Sequence, residues 1–153
     1  STPSSSRVSF EDRQNGLICV GDPENQRKVH QVLSRMGVDV QAVNDAKAAI
    51  SKMEYHIYHL VVMDETFDQF KGTSLILDKL NTMDMSLRRR MCLVLLSSRY
   101  RTNDNMACLH TSVNGILHLD DLIQLEPFLV KAMTDHKNLY TVYNESLKQA
   151  GKM

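Results

Sequence analysis

The sequence lacks most features of a secreted, metal-binding or membrane protein. It has no tryptophan and only three cysteines, Cys19, Cys92 and Cys108, which lie among apolar residues without metal-ligand spacing. We therefore expect free, buried thiols and a cytoplasmic location. Apolar runs fall far short of the ~20 residues that a membrane-spanning helix needs, and no signal peptide is expected. No membrane partner is predicted.

The sequence also lacks net charge, because 18 lysines and arginines balance 18 aspartates and glutamates. No global field therefore attracts the protein to nucleic acid. The densest charged run, residues 88–90, precedes a predicted strand that Arg99 and Arg101 follow. At ~3.3 Å per residue these two groups lie roughly 20 Å or more apart. We interpret residues 88–90 as a solvated turn and expect no nucleic-acid partner.

Motifs of common enzyme classes are missing. There is no GxGxxG, no P-loop and no nucleophile elbow, so we do not expect an enzyme. His56 and His59 are three residues apart, but no third ligand stands at a matching spacing, and zinc needs at least three protein ligands. His118 has no assignable nucleophile beside it and is predicted to lie on a strand face.

The chain is predicted to hold one domain. Its 153 residues match a typical domain size. Residues 1–13 are polar and serine-rich, which favours a flexible N-terminal tail or linker, and residues 14–153 form the domain. From Gly16, short apolar runs alternate with helical patterns, which is typical of βα units around a parallel sheet. Five strands and five helices are expected, with an extended final helix over about residues 126–150.

Several helix ends are marked in the sequence. Asp22 followed by a proline predicts an N-cap, and Gly37 predicts a left-handed cap at the end of the same helix. Asn44 or Asp45 is expected to cap the second helix. In such a doubly wound sheet, chemistry lies at the carboxyl ends of the strands. The residues that follow each strand are therefore the candidates for a site.

Two of those residues carry a family resemblance. Asp64 follows the apolar residues 60–63, and Gly72 lies eight positions beyond it, while Ser97 ends the fourth strand. In this spacing the chain resembles the receiver domains of two-component response regulators, over roughly residues 16–137. The resemblance implies a flavodoxin-like five-stranded parallel sheet of order 2-1-3-4-5. It also implies that Asp64 is equivalent to the phospho-acceptor and Ser97 to the switch hydroxyl.

Other family positions are substituted. The lysine of strand five falls on Leu119, so this cation is lost, and a proline four residues past the acceptor is replaced by Asp68. Of the acids that hold Mg²⁺ after strand one, Gly21 takes one place and Asp22 remains. Asp22 and Asp64 could form a vestigial metal site, although Asp22 is also an excellent helix cap. We expect no resident cofactor, with Mg²⁺ as a weak alternative.

These substitutions favour a pseudo-receiver, a signalling domain that acts as a protein–protein interaction module without phosphorylation. Phosphoryl transfer depends on cations that offset charge on the transferring oxygens, and Asp64 has acidic neighbours instead. The alternative is an atypical receiver that accepts phosphate on Asp64 from a histidine kinase, with Arg99 or Arg101 compensating. A third option is a small anionic ligand bound by Ser97, Ser98 and Arg99.

The final helix is longer than the resemblance implies. Leu129 and Met133 are predicted to pack in the core. Four further residues continue the stripe at heptad spacing: His136, Tyr140, Tyr143 and Leu147. This stripe predicts either a protein partner, including self-association with a second copy, or a helix that folds back over its own domain.

Overall fold

A computed structural model describes residues 14–149 and Gly151; the side chains of residues 138 and 140–148 lie outside the description. The chain forms one five-stranded sheet of order β2-β1-β3-β4-β5 in which all neighbouring strands are parallel. This confirms the predicted sheet. The strands are β1 (Asn15–Cys19), β2 (Asp39–Ala42), β3 (Leu60–Asp64), β4 (Cys92–Ser97) and β5 (Gly115–His118).

Helices connect the strands. They are α1 (Pro23–Arg35), α2 (Ala46–Tyr55), α3 (Gly72–Asn81), the single turn α4 (Met85–Arg88), α5 (Asn105–Thr111) and α6 (Leu125–Gln149). A 3-10 helix, Leu119–Gln124, joins β5 to α6. The sequence predicts five helices and places Leu119 at the end of β5. The structure adds α4 and the 3-10 helix, which begins at Leu119 because the His118 ring accepts a hydrogen bond from the Asp120 N–H at 3.0 Å.

The predicted helix ends are confirmed. The Asp22 carboxylate accepts from the Glu24 N–H at 2.9 Å, and the Asp45 carboxylate accepts from the Ala48 N–H at 2.7 Å. These contacts satisfy N–H groups that have no partner within the first turn. Gly37 has φ 84°, which glycine adopts without steric cost. Local sequence therefore fixes where α1 and α2 begin and where the chain turns after α1.

The helices cover both faces of the sheet. One face packs α1 and α6 over the strands, with Val29, Leu33 and Leu129 fully buried. The other face packs α2, α3 and α5, and its buried side chains include Ile76 and Phe67. Leu129 and Met133 lie in or against the first of these clusters, as predicted. Burying both faces explains why the central strands are continuous apolar runs.

The cysteines are free thiols. Cys19 and Cys92 are buried, and burial raises the pKa of the Cys92 thiol to about 12. Cys108 is only half-buried, which differs from the prediction that all three are buried. Within residues 14–149 and 151, no helix is both long and apolar enough to cross a membrane.

Candidate functional site at the carboxyl ends of the strands

Asp64 and Ser97 meet at one edge of the sheet. Asp64 is the last residue of β3 and pairs in register with Leu96 of β4, while Ser97 pairs with His118 of β5. Both side chains are polar groups that are buried, with exposed fractions of 1% and 0%. The predicted acceptor-equivalent and hydroxyl-equivalent residues are therefore neighbours, as the strand assignment implies.

The Asp64 carboxylate is enclosed by its own chain. It accepts from the Gly21 N–H at 3.0 Å and from the Thr66 hydroxyl, which lies 3.0 and 3.2 Å from its two oxygens. Burial raises the pKa of Asp64 above its ordinary value, and hydrogen bonds from Gly21 and Thr66 offset part of that shift. No cation pairs with Asp64 among the described residues. The site thus holds an acid that is buried without a counter-charge.

This burial predicts a pH-dependent stability penalty. Because the folded-state pKa is raised, the folded protein holds the proton more tightly, and stability falls as pH rises from the ordinary Asp value through the folded pKa. Asp64→Asn removes the charge and keeps an oxygen for the Gly21 N–H. We expect the free energy of unfolding to rise by about 1 to 2 kcal/mol at pH 7.

Urea unfolding across pH 4 to 7 measures this effect. The gain from Asp64→Asn should shrink as pH falls, since the wild-type carboxyl then becomes protonated. Asp78→Asn on the exposed surface of α3 is the control, with an expected change below about 0.5 kcal/mol. A gain that does not vary with pH, or a loss of stability at pH 7, would contradict the prediction.

The segment after β1 packs tightly against Thr66. A Cβ atom on Gly21 would lie 2.5 Å from the Thr66 hydroxyl oxygen and 2.9 Å from the Thr66 backbone. An acid at this position therefore has no room. Asp22 is exposed and caps α1. The Asp22 and Asp64 carboxylates thus both accept hydrogen bonds from the protein, and residue 21 supplies no further carboxylate to the pair.

No alternative metal cluster appears in the described part of the chain, where no three His, Cys, Asp or Glu side chains are grouped to hold an ion. The His59 ring accepts from the Asn15 N–H at 3.2 Å, and burial lowers its pKa. The His56 ring contacts Tyr58 edge-on. His118 caps the 3-10 helix. These contacts give each of the three histidines a structural role.

The Glu65 carboxylate accepts hydrogen bonds from the donor groups at the end of β4. Its carboxylate accepts from the Ser97 hydroxyl at 2.7 Å, from the Ser98 N–H at 2.9 Å and from the Ser98 hydroxyl at 3.3 Å. From the sequence, Glu65 is only one of several acidic neighbours of Asp64. The one signal for such a role in the sequence is that Glu65 directly follows Asp64 at the end of a strand. The structure makes it the residue that joins the ends of β3 and β4.

Within residues 14–149 and 151, no cation lies where the family has its strand-five lysine. Leu119 is half-buried and packs against the apolar cluster under α1 and α6. The Arg99 guanidinium carbon lies 5.0 Å from the centre of the Tyr100 ring, in a cation–π contact. Arg99 and Arg101 are both exposed, and neither pairs with Asp64. Arg99 and Arg101 are thus exposed loop residues and do not compensate at Asp64.

Asp68 has a structural role that the sequence does not suggest. Its carboxylate accepts from the Ala46 N–H at 3.0 Å, so it helps to cap α2 from the loop after β3. Asp68, Gln69 and Phe70 have φ values of 49°, 59° and 66°. Left-handed conformations cost L-residues roughly 1–2 kcal/mol each. The loop between Asp64 and α3 is therefore held by contacts at its ends.

The arginine run lies away from this edge of the sheet. Arg88 donates to the carbonyl oxygen of Ser112 at 2.9 Å and to that of Met91 at 3.4 Å, which ties the end of α5 to the turn before β4. Arg88 is half-buried in this turn. The Arg88 guanidinium thus stabilises the fold. The turn at residues 88–90 is less solvated than the sequence suggests.

The predicted interaction stripe of α6 lies only partly within the described residues. His136 is half-buried; burial lowers its pKa, and a backbone hydrogen bond with Arg89 partly offsets this. Tyr140, Tyr143 and Leu147 belong to α6, but their side chains lie outside the described residues. The proposed role of these four residues stays a prediction. The helix itself extends to Gln149, close to the predicted end.

Comparison with known proteins identifies the fold through solved structures. No protein-family model matches the sequence, and no curated protein does. Among solved structures, the chain is similar to a sensor protein from Polaromonas sp. JS666, with 24% identity and a TM-score of 0.62 over 81% of this chain and 98% of that one.

Two further structures show the same likeness. The signal receiver domain of a putative Luxo repressor protein from Vibrio parahaemolyticus has 16% identity and a TM-score of 0.65, over 85% of this chain and 97% of that one. The receiver domain of a sensor histidine kinase from Pseudomonas aeruginosa PAO1, solved with a coordinated magnesium ion, has 22% identity and a TM-score of 0.64, over 80% and 98%. With the strand order 2-1-3-4-5, these likenesses show that the chain has the fold of response-regulator receiver domains.

Proposed function

We propose that this chain is a pseudo-receiver, a signalling domain that binds protein partners and is not controlled by phosphorylation. The observation that carries the proposal is the state of Asp64, which is buried, hydrogen-bonded by Gly21 and Thr66, and without a paired cation among the described residues. In receiver domains, this position accepts the phosphoryl group. Here the Asp64 carboxylate already accepts hydrogen bonds from Gly21 and Thr66.

Charge opposes phosphorylation at this site. Two unit charges about 4 Å apart repel by about 4 kcal/mol at an effective dielectric constant of about 20. An incoming phosphoryl donor would meet Asp64 together with the Glu65 carboxylate, which occupies Ser97 and Ser98. Leu119 offers no charge where the family has lysine. Because phosphoryl transfer depends on such electrostatic stabilisation, the rate of transfer should be very low.

Exposed apolar side chains support a binding role. Met106 and Leu109 on α5 are 75% and 77% exposed, and Ile123 on the 3-10 helix is 94% exposed. Leu139 on α6 is 72% exposed. Large apolar side chains on a surface often mark an interface when they are contiguous. These four side chains lie on segments that follow β4, and we expect a protein partner to bind there.

Beryllofluoride with Mg²⁺, a mimic of a bound phosphoryl group, tests the proposal. Amide chemical shifts of Asp64, Ser98 and Leu119 should show no saturable change in the wild-type protein, because Asp64 and the serines are already occupied. Asp64→Asn is the matched control and should give the same titration. Saturable shifts in wild type that Asp64→Asn abolishes would establish the alternative, an atypical phospho-acceptor.

A further inference from the structure

An apolar groove lies at the amino ends of β3 and β4, whereas Asp64 lies at the carboxyl end of β3. The last turn of α2, residues 83–87 and the residues that precede the two strands form its walls. The groove has a volume of about 210 Å³ and is lined chiefly by Met53, Met83, Met91, Tyr55, Ile57 and Leu87. We call it the methionine groove. None of its lining residues belongs to the site around Asp64.

The methionine groove has a buried floor and an exposed apolar rim. Met53 and Met91 are buried, whereas Tyr55, Ile57 and Leu87 are exposed. Exposed apolar side chains around a concave surface are typical of a binding site. The volume is smaller than the about 300–1,000 Å³ of pockets that take drug-sized molecules. A single apolar side chain of a protein segment therefore suits the groove better than such a molecule.

Methionine makes this groove adaptable. Met53, Met83 and Met91 line it, and Met85 is exposed on the adjoining turn α4. Methionine side chains are unbranched and polarisable, so they repack around apolar groups of different shape. Surfaces that bind amphipathic helices of varied sequence use methionine in this way. The composition of the groove thus favours a peptide segment as its occupant.

Cations flank the groove on one side. Residues 88–90, the arginine turn, are three arginines that join Leu87 to Met91, and both of these residues line the groove. The Arg88 guanidinium donates to the carbonyl oxygen of Met91 at 3.4 Å, and Arg90 is exposed. The backbone therefore places positive charge directly beside the apolar rim.

Nearby acids do not cancel this charge. Among the described residues that line the groove, Glu54 alone is acidic. Asp84, at the start of α4, accepts hydrogen bonds from the Ser86 N–H at 2.8 Å and from the Ser86 hydroxyl at 2.6 Å. Burial lowers the pKa of His59, and the charge of Arg90 lowers it further. The side of the groove beside the arginine turn is therefore positively charged overall.

We propose that the methionine groove binds an acidic, amphipathic segment of a protein partner. A large apolar side chain of that segment enters the groove, and its carboxylates face the arginine turn. The inference rests on the binding role proposed above and adds a second surface, separate from the segments that follow β4. A basic segment is disfavoured here, because like charges placed against each other across an interface weaken binding.

Titration of the full chain with a labelled synthetic peptide tests the proposal. The peptide consists of glutamate, alanine and leucine, with leucines three and four residues apart so that they share one helix face. Fluorescence anisotropy at low salt should give a Kd of about 10 to 100 µM. A peptide with lysine in place of glutamate should bind at least about tenfold more weakly. Absence of saturable binding of the acidic peptide up to about 1 mM would overturn the proposal.

Leu87→Ser tests the apolar contact and should weaken binding of the acidic peptide about tenfold. Leu75→Ser on α3 is the matched control, because Leu75 and Leu87 are 46% and 45% exposed and Leu75 does not line the groove. Its effect should stay below about twofold. Tyr55→Ser, at a more exposed rim position, should weaken binding as Leu87→Ser does and serves if that variant fails to fold. Equal affinities of the folded rim variants and Leu75→Ser would overturn the proposal.

Arg90→Gln tests the charge of the arginine turn. It should weaken binding of the acidic peptide about threefold at low salt, and the difference from wild type should vanish in about 0.5 M sodium chloride. This salt dependence separates lost attraction from a structural effect of the substitution. Unchanged affinity at low salt, or a loss that salt does not reduce, would contradict the acidic character of the partner segment.

Other occupants of the groove would overturn the proposal, and amide shifts of Ile57 and Leu87 identify them. If Phe10→Ser moves these shifts in the absence of peptide, residues 1–13 of the chain itself are the occupant. If protein concentration moves them, a second copy is the occupant. If Leu109→Ser on α5 abolishes peptide binding and Leu87→Ser does not, the partner binds after β4, and the proposed function stands without this inference. Since neither Mg²⁺ nor beryllofluoride is present, failure here is distinguishable from failure of the beryllofluoride test.

Discussion

Replacing Gly21 by alanine is expected to lower the free energy of unfolding by about 2 to 3 kcal/mol. The added Cβ atom would lie 2.5 Å from the Thr66 hydroxyl oxygen and 2.9 Å from the carbonyl carbon and oxygen of Thr66. Overpacking of this kind typically costs about 1 to 3 kcal/mol. The same shift would also move the Gly21 N–H away from the buried Asp64 carboxylate, which it contacts at 3.0 Å. Urea unfolding monitored by circular dichroism measures the change.

Thr66→Ala provides the sharpest control for this prediction. It removes the hydroxyl oxygen that lies nearest to the new Cβ atom, but leaves the Thr66 backbone at 2.9 Å. Gly21→Ala should therefore remain destabilising in the Thr66→Ala background, with a smaller loss than in wild type. Complete rescue would show that only the side chain limits this position. That outcome would contradict the expected clash with the Thr66 backbone.

The crowding at Gly21 explains one departure from the receiver pattern. From the sequence, a glycine in place of an acid suggests only a missing ligand. The structure shows that Thr66 fills the adjacent space and that the Gly21 N–H binds Asp64 directly. This contact could not be predicted, because it depends on the path of the loop after β3. Sequence spacing locates strand ends but does not determine how neighbouring loops pack.

The fold was predictable for a physical reason. Short apolar runs, helix caps such as Asp22 and the positive φ of Gly37 are local signals, and the structure confirms each of them. Asp64 and Ser97 were found because parallel strands bring their carboxyl ends to one edge. Glu65 was not assigned its role, because the direction of its side chain is decided by the turn that follows β3. Local pattern therefore predicts which residues are near the site, and tertiary packing decides their partners.

The loop after β3 also adopts a conformation that tertiary packing decides and local sequence does not predict. Asp68, Gln69 and Phe70 all have positive φ, although none is glycine. Sequence propensity does not predict such a run, since each residue costs roughly 1–2 kcal/mol in this conformation. The surrounding contacts must offset that cost. The Gly72 N–H donates to the Phe67 carbonyl oxygen at 3.0 Å, and the Thr73 hydroxyl donates to the Asp64 carbonyl oxygen at 2.6 Å.

Phe67 is expected to be the main anchor of this loop. Its side chain is 1% exposed and is among the largest fully buried side chains of the described residues, packed in the cluster beneath α2 and α3. Phe67→Ala should lower the free energy of unfolding by about 3 to 5 kcal/mol through lost burial and the remaining cavity. Residues 68–70, which have positive φ, follow Phe67 directly. In the Phe67→Ala protein their amide hydrogens should therefore exchange faster than those of β3, which hydrogen-exchange mass spectrometry can measure.

Phe70→Ala is the matched control within the same loop. Phe70 is 77% exposed, so its truncation should change the free energy of unfolding by less than about 0.5 kcal/mol. The two substitutions remove the same atoms three residues apart and differ chiefly in burial. Similar losses from both would mean that Phe67 does not anchor the loop. A large loss from Phe67→Ala alone would instead show that burial at residue 67 stabilises the protein and anchors the loop that connects β3 to α3.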